Sequence, residues 1–529
     1  MGESGMYSLQ KERVSRHKHH WGRLGDLRDR YLSAMPLLKE RVDLVVEGYS
    51  SDTEIEHAGA YQEEVRETLG ASTVLVSHHL SHLYSAFYPS PFEEAAGLVI
   101  DAQGSHVRDF TEQVELPEGT DGDLLEVASF YRCARGRIEC LAKQVWDGDW
   151  DRPAGLGAFY ALLTRMMWPE GSEDKVMGLA PFGDPDALGL PDLDVRGHEV
   201  HVPAAWLEVF GRRDAFLYEP GGEDFRRAAN LAAAGQRAFE RALAQVAGWL
   251  HTRTGLDTLA YAGGAALNSS ANGHLIRESA FREVFVPPSP HNGGTAVGCA
   301  LYGLIACLGV DSRFRWTDDF LGPDPDESEI DAAVRGLPDD LYAERPDDLV
   351  DAMAALLESG RVVGLHQGRS ESGPRALGNR SILADPRGPD VQDYINFEVK
   401  GHEWFRPLAP IVPAEHAKEV FEVDRPAPFA QYAVRPSYRD LLPGVTHVDG
   451  TALPQTVERD STPFLHALLT RWHERTGTPV LINTSLHGPG EPVTETPEHS
   501  IETLRGTGLH ALVMPPYLIR KHAEPPLPG

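Results

Sequence analysis
A chain of 529 residues exceeds what one hydrophobic core ordinarily organises, so two or more domains are expected. A formal net charge of -30 argues against a long nucleic-acid backbone as partner, although a small anion could still be held in a local basic pocket. Four cysteines without zinc-ribbon spacing, and no apolar run of membrane-spanning length, predict a cytoplasmic protein that contacts neither membrane nor nucleic acid.

The first informative segment follows an apolar strand expected over Thr73 to Val76. Ser77-His78-His79-Leu80-Ser81-His82 places His78 and His82 four apart, so a helix starting there puts both imidazoles on one face, within reach of one cation. Two readings stay open: metal or phosphate chemistry, or polar side chains capping a helix start. Next, Ala95 to Asp101 reads as a buried strand ending in Asp101-Ala102-Gln103-Gly104-Ser105, a turn with an acid and a glycine suited to phosphate or metal-bound water.

Apolar residues at three-to-four spacing predict a helix over Phe225 to Thr252, and strands are expected at Thr258 to Ala262 and Val284 to Val286. Each of these strands runs into a glycine turn and a helix start, first at Gly263-Gly264-Ala265-Ala266-Leu267-Asn268 and again at Pro290 to Ala296, which contains Gly293. Amides at such turns can face a phosphate along the positive end of a helix. Strand and helix alternate throughout, so an α/β domain is expected over residues 1–320.

The acidic, proline-rich stretch from Asp311 to Asp348 reads as a linker. A second domain, residues 345–529, then opens with a helix over Leu349 to Ser359 and a strand over Val362 to Leu365. Residues 368–381 thread Arg369, Arg375 and Arg380 between Gly368, Gly373 and Gly378. Glycines allow close backbone approach and guanidinium forks bind oxyanions, so this loop predicts an anion pocket; a solvated, ion-paired surface loop is the alternative.

Taken in order, HHLSH, VIDAQGS, KVMGLAPFG, AGGAALN, GGTAVG, GPRALGNRSILADPR, KGHEWFRPLAP and PVLINTSLHGPGEP make the chain resemble the O-carbamoyltransferase family from about Leu9 to Pro497. The GPRALGNRSI and PVLINTS blocks are the specific ones. The resemblance implies an α/β fold in which an actin-like (ASKHA) N-terminal domain joins a YrdC-like α/β C-terminal domain. It implies use of ATP, with Mg2+, and carbamoyl phosphate to make carbamoyl-adenylate, from which the carbamoyl group passes to a hydroxyl of a small-molecule natural product. Arg375, Lys400 and Arg406 would contact carbamoyl phosphate and the adenylate phosphate; Asn379, Arg380 and Ser381 would shape that pocket, with Asn483, Thr484 and Ser485 as its floor. His78 and His82 would hold a divalent metal, iron by preference, with His78 in a catalytic role. Asp101, Lys175, Gly263, Gly264, Asn268 and Gly293 would serve the nucleotide.

Several positions depart from the family pattern. The opening strand with its His-Asp turn has no counterpart, so either the start codon is misassigned or the first sheet is incomplete, and Asn292 replaces the customary metal-ligand aspartate. Leu453 stands where an arginine is common, and His487-Gly488-Pro489-Gly490 replaces an asparagine-containing turn. These departures motivate one competing reading, a catalytically weakened nucleotide-binding protein. Another, tRNA threonylcarbamoylation, runs against the negative charge. A monomer or homodimer is expected.

Overall fold
The structure, a computed structural model, describes residues 6–18, 25, 27–32, 42–49, 58–169, 174–212, 215–220, 222–312, 314–421, 423, 425–437 and 441–528. It has mixed α/β architecture in two compact units, one Glu40–Trp316 and the other Met1–Lys39 with Thr317–Gly529.

In the unit Glu40–Trp316 a five-stranded sheet runs in the order Arg137–Trp146, Leu125–Ala134, Glu94–Ile100, Thr258–Ala262, Glu283–Phe285. Its first three strands pair antiparallel and its last three parallel. The middle strand is the predicted apolar run; Ala95 to Ile100 are all buried, as befits a strand covered on both faces. Leu44–Tyr49 pairs in parallel with Ser72–Ser77 as a separate two-stranded sheet.

From Ser72–Ser77 the chain turns directly into the helix His78–Phe87, whose ten residues are all buried. A fully buried helix is normally apolar all round, so three histidines in it demand polar partners. Against it packs Asn292–Tyr302, with Gly298 at the crossing: a Cβ there would lie 1.8 Å from the Ser81 carbonyl oxygen.

The other unit holds an eight-stranded mixed sheet ordered Leu341–Glu344, Tyr517–Lys521, Ala511–Met514, Val363–His366, Arg380–Ala384, Leu481–Ser485, Ala409–Pro413, Gln455–Val457. Successive residues point to opposite faces. Ile382, Leu512 and Met514 therefore join one apolar cluster, and Leu383, Ala511 and Val513 join another.

Two sequence expectations about boundaries are corrected here. The acidic stretch taken as a linker contains the helix Glu327–Arg335 and the strand Leu341–Glu344. Its acids belong to a helix start, where the Asp326 side chain accepts from Glu329 N and the Glu329 side chain accepts from Asp326 N, a capping box. The N-terminal segment, expected in the first domain, belongs to the unit that contains the arginine loop. Arg13 donates to the Glu371 and Gly373 carbonyls, Gln10 to that of Ser372 at 2.6 Å, and Ser8 N to that of Leu321 at 2.8 Å.

Gly298→Ala sets two effects against each other. Helix propensity favours alanine by about 1 kcal/mol, whereas overpacking at a closed helix crossing destabilises by about 1–3 kcal/mol. The contact is with backbone, which cannot swing aside, so overpacking should win. A lower unfolding midpoint in urea for Gly298→Ala is expected; a gain would show that the crossing opens freely.

Candidate functional site
The chemistry-bearing residues form two groups, one in each unit. In the first, His78 and His82 lie one helical turn apart with their Nε2 atoms 3.1 Å from each other. The carboxylate oxygen Oδ2 of Asp101, at the end of the central strand, lies 3.6 Å from His78 Nε2 and 3.2 Å from His82 Nε2. One ligand atom from each of the three residues falls within 4.8 Å of the others. Asp101 is thus a member of this trio, in a turn for which the sequence left phosphate or metal-bound water open. Asn292, expected as the third ligand, is exposed at the first position of its helix, and its carbonyl accepts from Thr295 Oγ1 at 2.7 Å.

Local chain geometry explains the convergence. Thr258–Ala262 runs parallel beside Glu94–Ile100, so the turn after it arrives next to Asp101. Gly264 N donates to Asp101 Oδ2 at 3.2 Å, and Ala102 N to Oδ1 at 2.8 Å. Gly263 has φ 94°, and a Cβ on it would sit 2.1 Å from the Ile100 carbonyl oxygen, so the turn needs glycine for both conformation and space.

Burial pushes the His82 imidazole below its usual range, despite its bond to Asp101. Burial alone would push the Asp101 carboxyl up, but hydrogen bonds from His78 and His82 outweigh it and hold the group well below the carboxylate range. A neutral imidazole and an ionised carboxylate have the protonation states that a metal requires of its ligands. Two nitrogens and one oxygen suit a borderline divalent ion, and the residues fit such a group.

Around this trio the remaining predicted positions have distinct places. Lys175 Nζ stands over the Trp168 ring at 5.4 Å. Asn268 caps the helix Ser269–Glu278, accepting from Ala271 N at 3.0 Å, and both ends of its amide pair with Gln236. It builds the turn as a helix cap, which is the place the structure gives this predicted nucleotide residue. Gly293 lies in the first turn of Asn292–Tyr302.

In the second unit the arginine loop is organised by a carboxylate that the sequence reading overlooked. Glu371 Oε1 accepts from the backbone N–H of Leu377, Asn379 and Arg380, at 2.7, 2.9 and 3.3 Å. Arg380 is fully buried and donates to the carbonyls of Gln367, Gly368, Asn379 and Glu495. Arg369 donates to the carbonyls of Met6, Leu321 and Gly322. Both guanidiniums hold the loop in shape, and Arg380, expected to help shape the pocket, spends its hydrogen bonds on these four carbonyls. Asn379 Nδ2 donates to the Arg369 carbonyl and Asn483 Nδ2 to that of Ala376, at 2.7 and 2.9 Å, so these amides also position the loop. Arg375 is half-buried on it, and Ser381 is buried in the adjoining strand, opposite Ser485.

Lys400 is 1% exposed and donates from Nζ to the Ser485 carbonyl and hydroxyl, both neutral acceptors. Burial, and then the charges of Lys18 and Arg406, push its ammonium well below the usual lysine range. His487 is held well below its own range by burial and by Lys400. Arg406 Nε bonds Glu403 at 2.8 Å. Lys18 was not among the expected residues; the clue to it was a basic stretch, Arg16-His17-Lys18, in a strongly acidic chain. Of these cations only Lys400 is buried, and a buried lysine with neutral acceptors takes its charged form more readily when a negative group joins it, so this group of residues could hold an anion.

With both sites described, the chain can be compared with known proteins. Residues 38–301 match the Carbamoyltransferase N-terminus and residues 354–521 the Carbamoyltransferase C-terminus. The chain is 35% identical over 469 residues to nodulation protein NolNO of Sinorhizobium fredii (strain NBRC 101917 / NGR234), covering 85% of this chain and 64% of that protein. It is 34% identical over 463 residues to nodulation protein NolO of Bradyrhizobium diazoefficiens, covering 84% of this chain and 79% of that protein. Nodulation protein U of Rhizobium tropici is 37% identical over 244 residues, 45% of this chain and 40% of that protein. The chain belongs to the carbamoyltransferase family. Among solved structures, full-length HypF in its phosphate- and nucleotide-bound form aligns with a TM-score of 0.34 at 15% identity, over 55% of this chain and 42% of that one, a likeness too slight to assign a fold.

Asp319 supplies a pH test of the loop. It is 1% exposed and accepts from Ser372 Oγ at 2.5 Å and Gly373 N at 2.7 Å. Burial raises its carboxyl to about 7 against those two bonds. The folded state therefore binds this proton more tightly than the unfolded one, so Asp319's contribution to stability is greatest in acid and falls as pH rises from about 4 to about 7. Asp319→Asn, which mimics the protonated form, should become progressively more stable relative to the unsubstituted protein across that window, by at most about 1.4 kcal/mol per pH unit. Urea unfolding at pH 5 and pH 8 checks this, and parallel curves for the two proteins would refute it.

Proposed function
We propose that this protein is an ATP-dependent O-carbamoyltransferase that places a carbamoyl group on a hydroxyl of a small-molecule natural product. The observation that carries the reading is Lys400, a buried lysine whose Nζ donates to neutral acceptors and whose neighbouring charges are cationic. In a family of carbamoyltransferases, that group suits the phosphates of carbamoyl phosphate and ATP. The first unit is read as actin-like, the second as YrdC-like, and the protein as cytoplasmic; among the described residues no helix is long and apolar enough to cross a membrane.

The reaction divides into two steps. Water hydrolyses carbamoyl phosphate to carbamate and inorganic phosphate, and the carbamate oxygen then attacks the α-phosphorus of ATP and expels pyrophosphate. An acceptor hydroxyl then attacks the carbonyl carbon of carbamoyl-adenylate, and the bond to the adenylate oxygen breaks to release AMP. Carbamate is a poor electrophile and short-lived in water, so activation must occur in a shielded pocket. Arg375, Lys400 and Arg406, with Lys18, hold the phosphate oxygens of the first step. Lys400 takes its ammonium form as the anion enters.

For the second step His78, His82 and Asp101 are the residues that hold a divalent cation, and such an ion supplies Lewis acidity toward phosphate oxygens. Gly264 N fixes Asp101 for this task and Gly263 N is taken by the Pro290 carbonyl, so the Gly263-Gly264 turn serves the nucleotide by shaping the end of the strand, with Gly293 in the adjoining helix start beside it. Asn292 offers a carboxamide where a carboxylate would add charge, so His78, His82 and Asp101 would hold a divalent ion without a second carboxylate, and less tightly for it.

Arg375→Ala and Lys400→Ala should each lower carbamoyl-phosphate-dependent pyrophosphate release by ~30–1000-fold, the loss of one fixed cation worth roughly 2–4 kcal/mol. His78→Ala should retain pyrophosphate release and lose carbamoyl transfer, followed by mass spectrometry of candidate acceptors. Undiminished release by both pocket variants would overturn the assignment of the first step; loss of both activities in folded His78→Ala would overturn the division between units. In a separate measurement, Asn292→Asp should retain more metal through dialysis than the unsubstituted protein, and equal retention would show that position 292 adds nothing to the metal set.

A further inference from the structure
Beneath the His78–His82–Asp101 trio lies a group of buried charges that the proposed chemistry does not use. Glu126, on the strand Leu125–Ala134, has a fully buried side chain. Its Oε1 accepts two backbone N–H groups, from His79 at 2.9 Å and from Ser105 at 3.1 Å. Its Oε2 pairs with the equally buried Lys143, which also pairs with Glu112 at 2.7 Å and lies over the Phe110 ring at 4.2 Å. Glu112 in turn accepts from Ser77 Oγ and from Tyr131 OH, the latter at 2.8 Å. Burial would pull the Lys143 ammonium down, but the two carboxylates outweigh it and raise it above the usual range.

These bonds connect the two pieces of chain that carry the ligands. His79 sits beside His78 at the start of the helix, where the first N–H groups have no partner within the helix and need an outside acceptor. Ser105 closes the turn that begins at Asp101, and its Oγ accepts from His78 N at 2.8 Å. One carboxylate oxygen thus grips both the helix start and the turn. The turn is also pressed close: a Cβ on Gly104 would lie 2.6 Å from Glu126 Cγ and 2.9 Å from His79 Cδ2.

We propose that Glu126 is a positioning residue for the metal centre, setting Asp101 against His78 and His82 by bridging His79 N and Ser105 N. This rests on the metal reading of that trio. A role in stability alone is a weaker account, because a buried ion pair contributes little compared with apolar residues of similar volume. The distance between ligand atoms, in contrast, depends directly on a shared acceptor, and groups behind the ligands typically govern metal affinity by about 10–100-fold.

Glu126→Gln and Glu126→Leu separate the two roles. Both remove the charge facing Lys143 and leave the Lys143–Glu112 pair; only glutamine retains an oxygen to accept the two N–H groups. The probe is Co2+, titrated into the purified full chain and followed by its visible absorption, which reports ligand geometry. Glu126→Gln should bind within about threefold of the unsubstituted protein, whereas Glu126→Leu should bind about 10–100-fold more weakly with an altered spectrum. A folded Glu126→Leu that binds Co2+ as tightly as Glu126→Gln, with the same spectrum, overturns the proposal and leaves the metal reading standing. Should the leucine variant not fold, Gly104→Ala, which forces the turn from Glu126 without touching a charge, decides by the same criterion. No Co2+ binding by the unsubstituted protein overturns the metal reading and this inference with it.

Discussion

Asp101 is the point at which the first unit's elements are tied together. It ends the central strand and takes N–H groups from Ala102 and from Gly264, while its Oδ2 faces two imidazoles of an adjacent helix. The helix Gly155–Met167 also packs hard against it, since a Cβ on Gly157 would lie 2.1 Å from the Asp101 carbonyl oxygen. A carboxylate buried without such partners would protonate. Here the bonds from the imidazoles overcome burial, so the charge persists and the trio keeps an anionic member.

The second unit solves the converse problem, keeping positive charge available in a chain whose net charge is -30. Two of its carboxylates are occupied with the arginine loop itself. Glu371 takes three N–H groups of the loop, and Asp319 takes Ser372 and Gly373. Acids used in this way shape the loop and leave the neighbourhood of Lys400 cationic, with Lys18 and Arg406 as the charges acting on it. At ordinary ionic strength, distant surface acids are screened within about 8–10 Å, so a small anion responds to the local pocket more than to the net charge.

Much of this was legible in the sequence where one period or one motif decides the outcome. The apolar runs ending at Ile100 and Ala262 gave strands because nothing polar interrupts them, and the spacing of His78 and His82 required one helix face. Strands carrying buried charge were not legible. Leu125–Ala134 and Arg137–Trp146 contain Glu126 and Lys143, which look like surface residues until each is seen to neutralise the other inside. The roles of arginines were equally hidden: Arg375 and Arg380 share a motif, but only three-dimensional contacts show that Arg380 is committed to four carbonyls. Composition likewise misplaced the acidic linker, because proline and aspartate mark a capped helix start as readily as a flexible connection.

Charge accounting links the buried network to the departure at Asn292. A divalent cation beside Asp101 and two neutral imidazoles would leave one unit of positive charge in a buried site. Glu112, Glu126 and Lys143 together carry one unit of negative charge directly behind the helix that bears the histidines, at the helix end whose dipole is positive. The buried set is then neutral as a whole without a further carboxylate at position 292. A carboxylate there would add net negative charge to a site that the proposed function requires to receive phosphate. On the proposed function, an asparagine would keep the approach open to an anion, and its cost would fall on metal affinity instead of nucleotide binding.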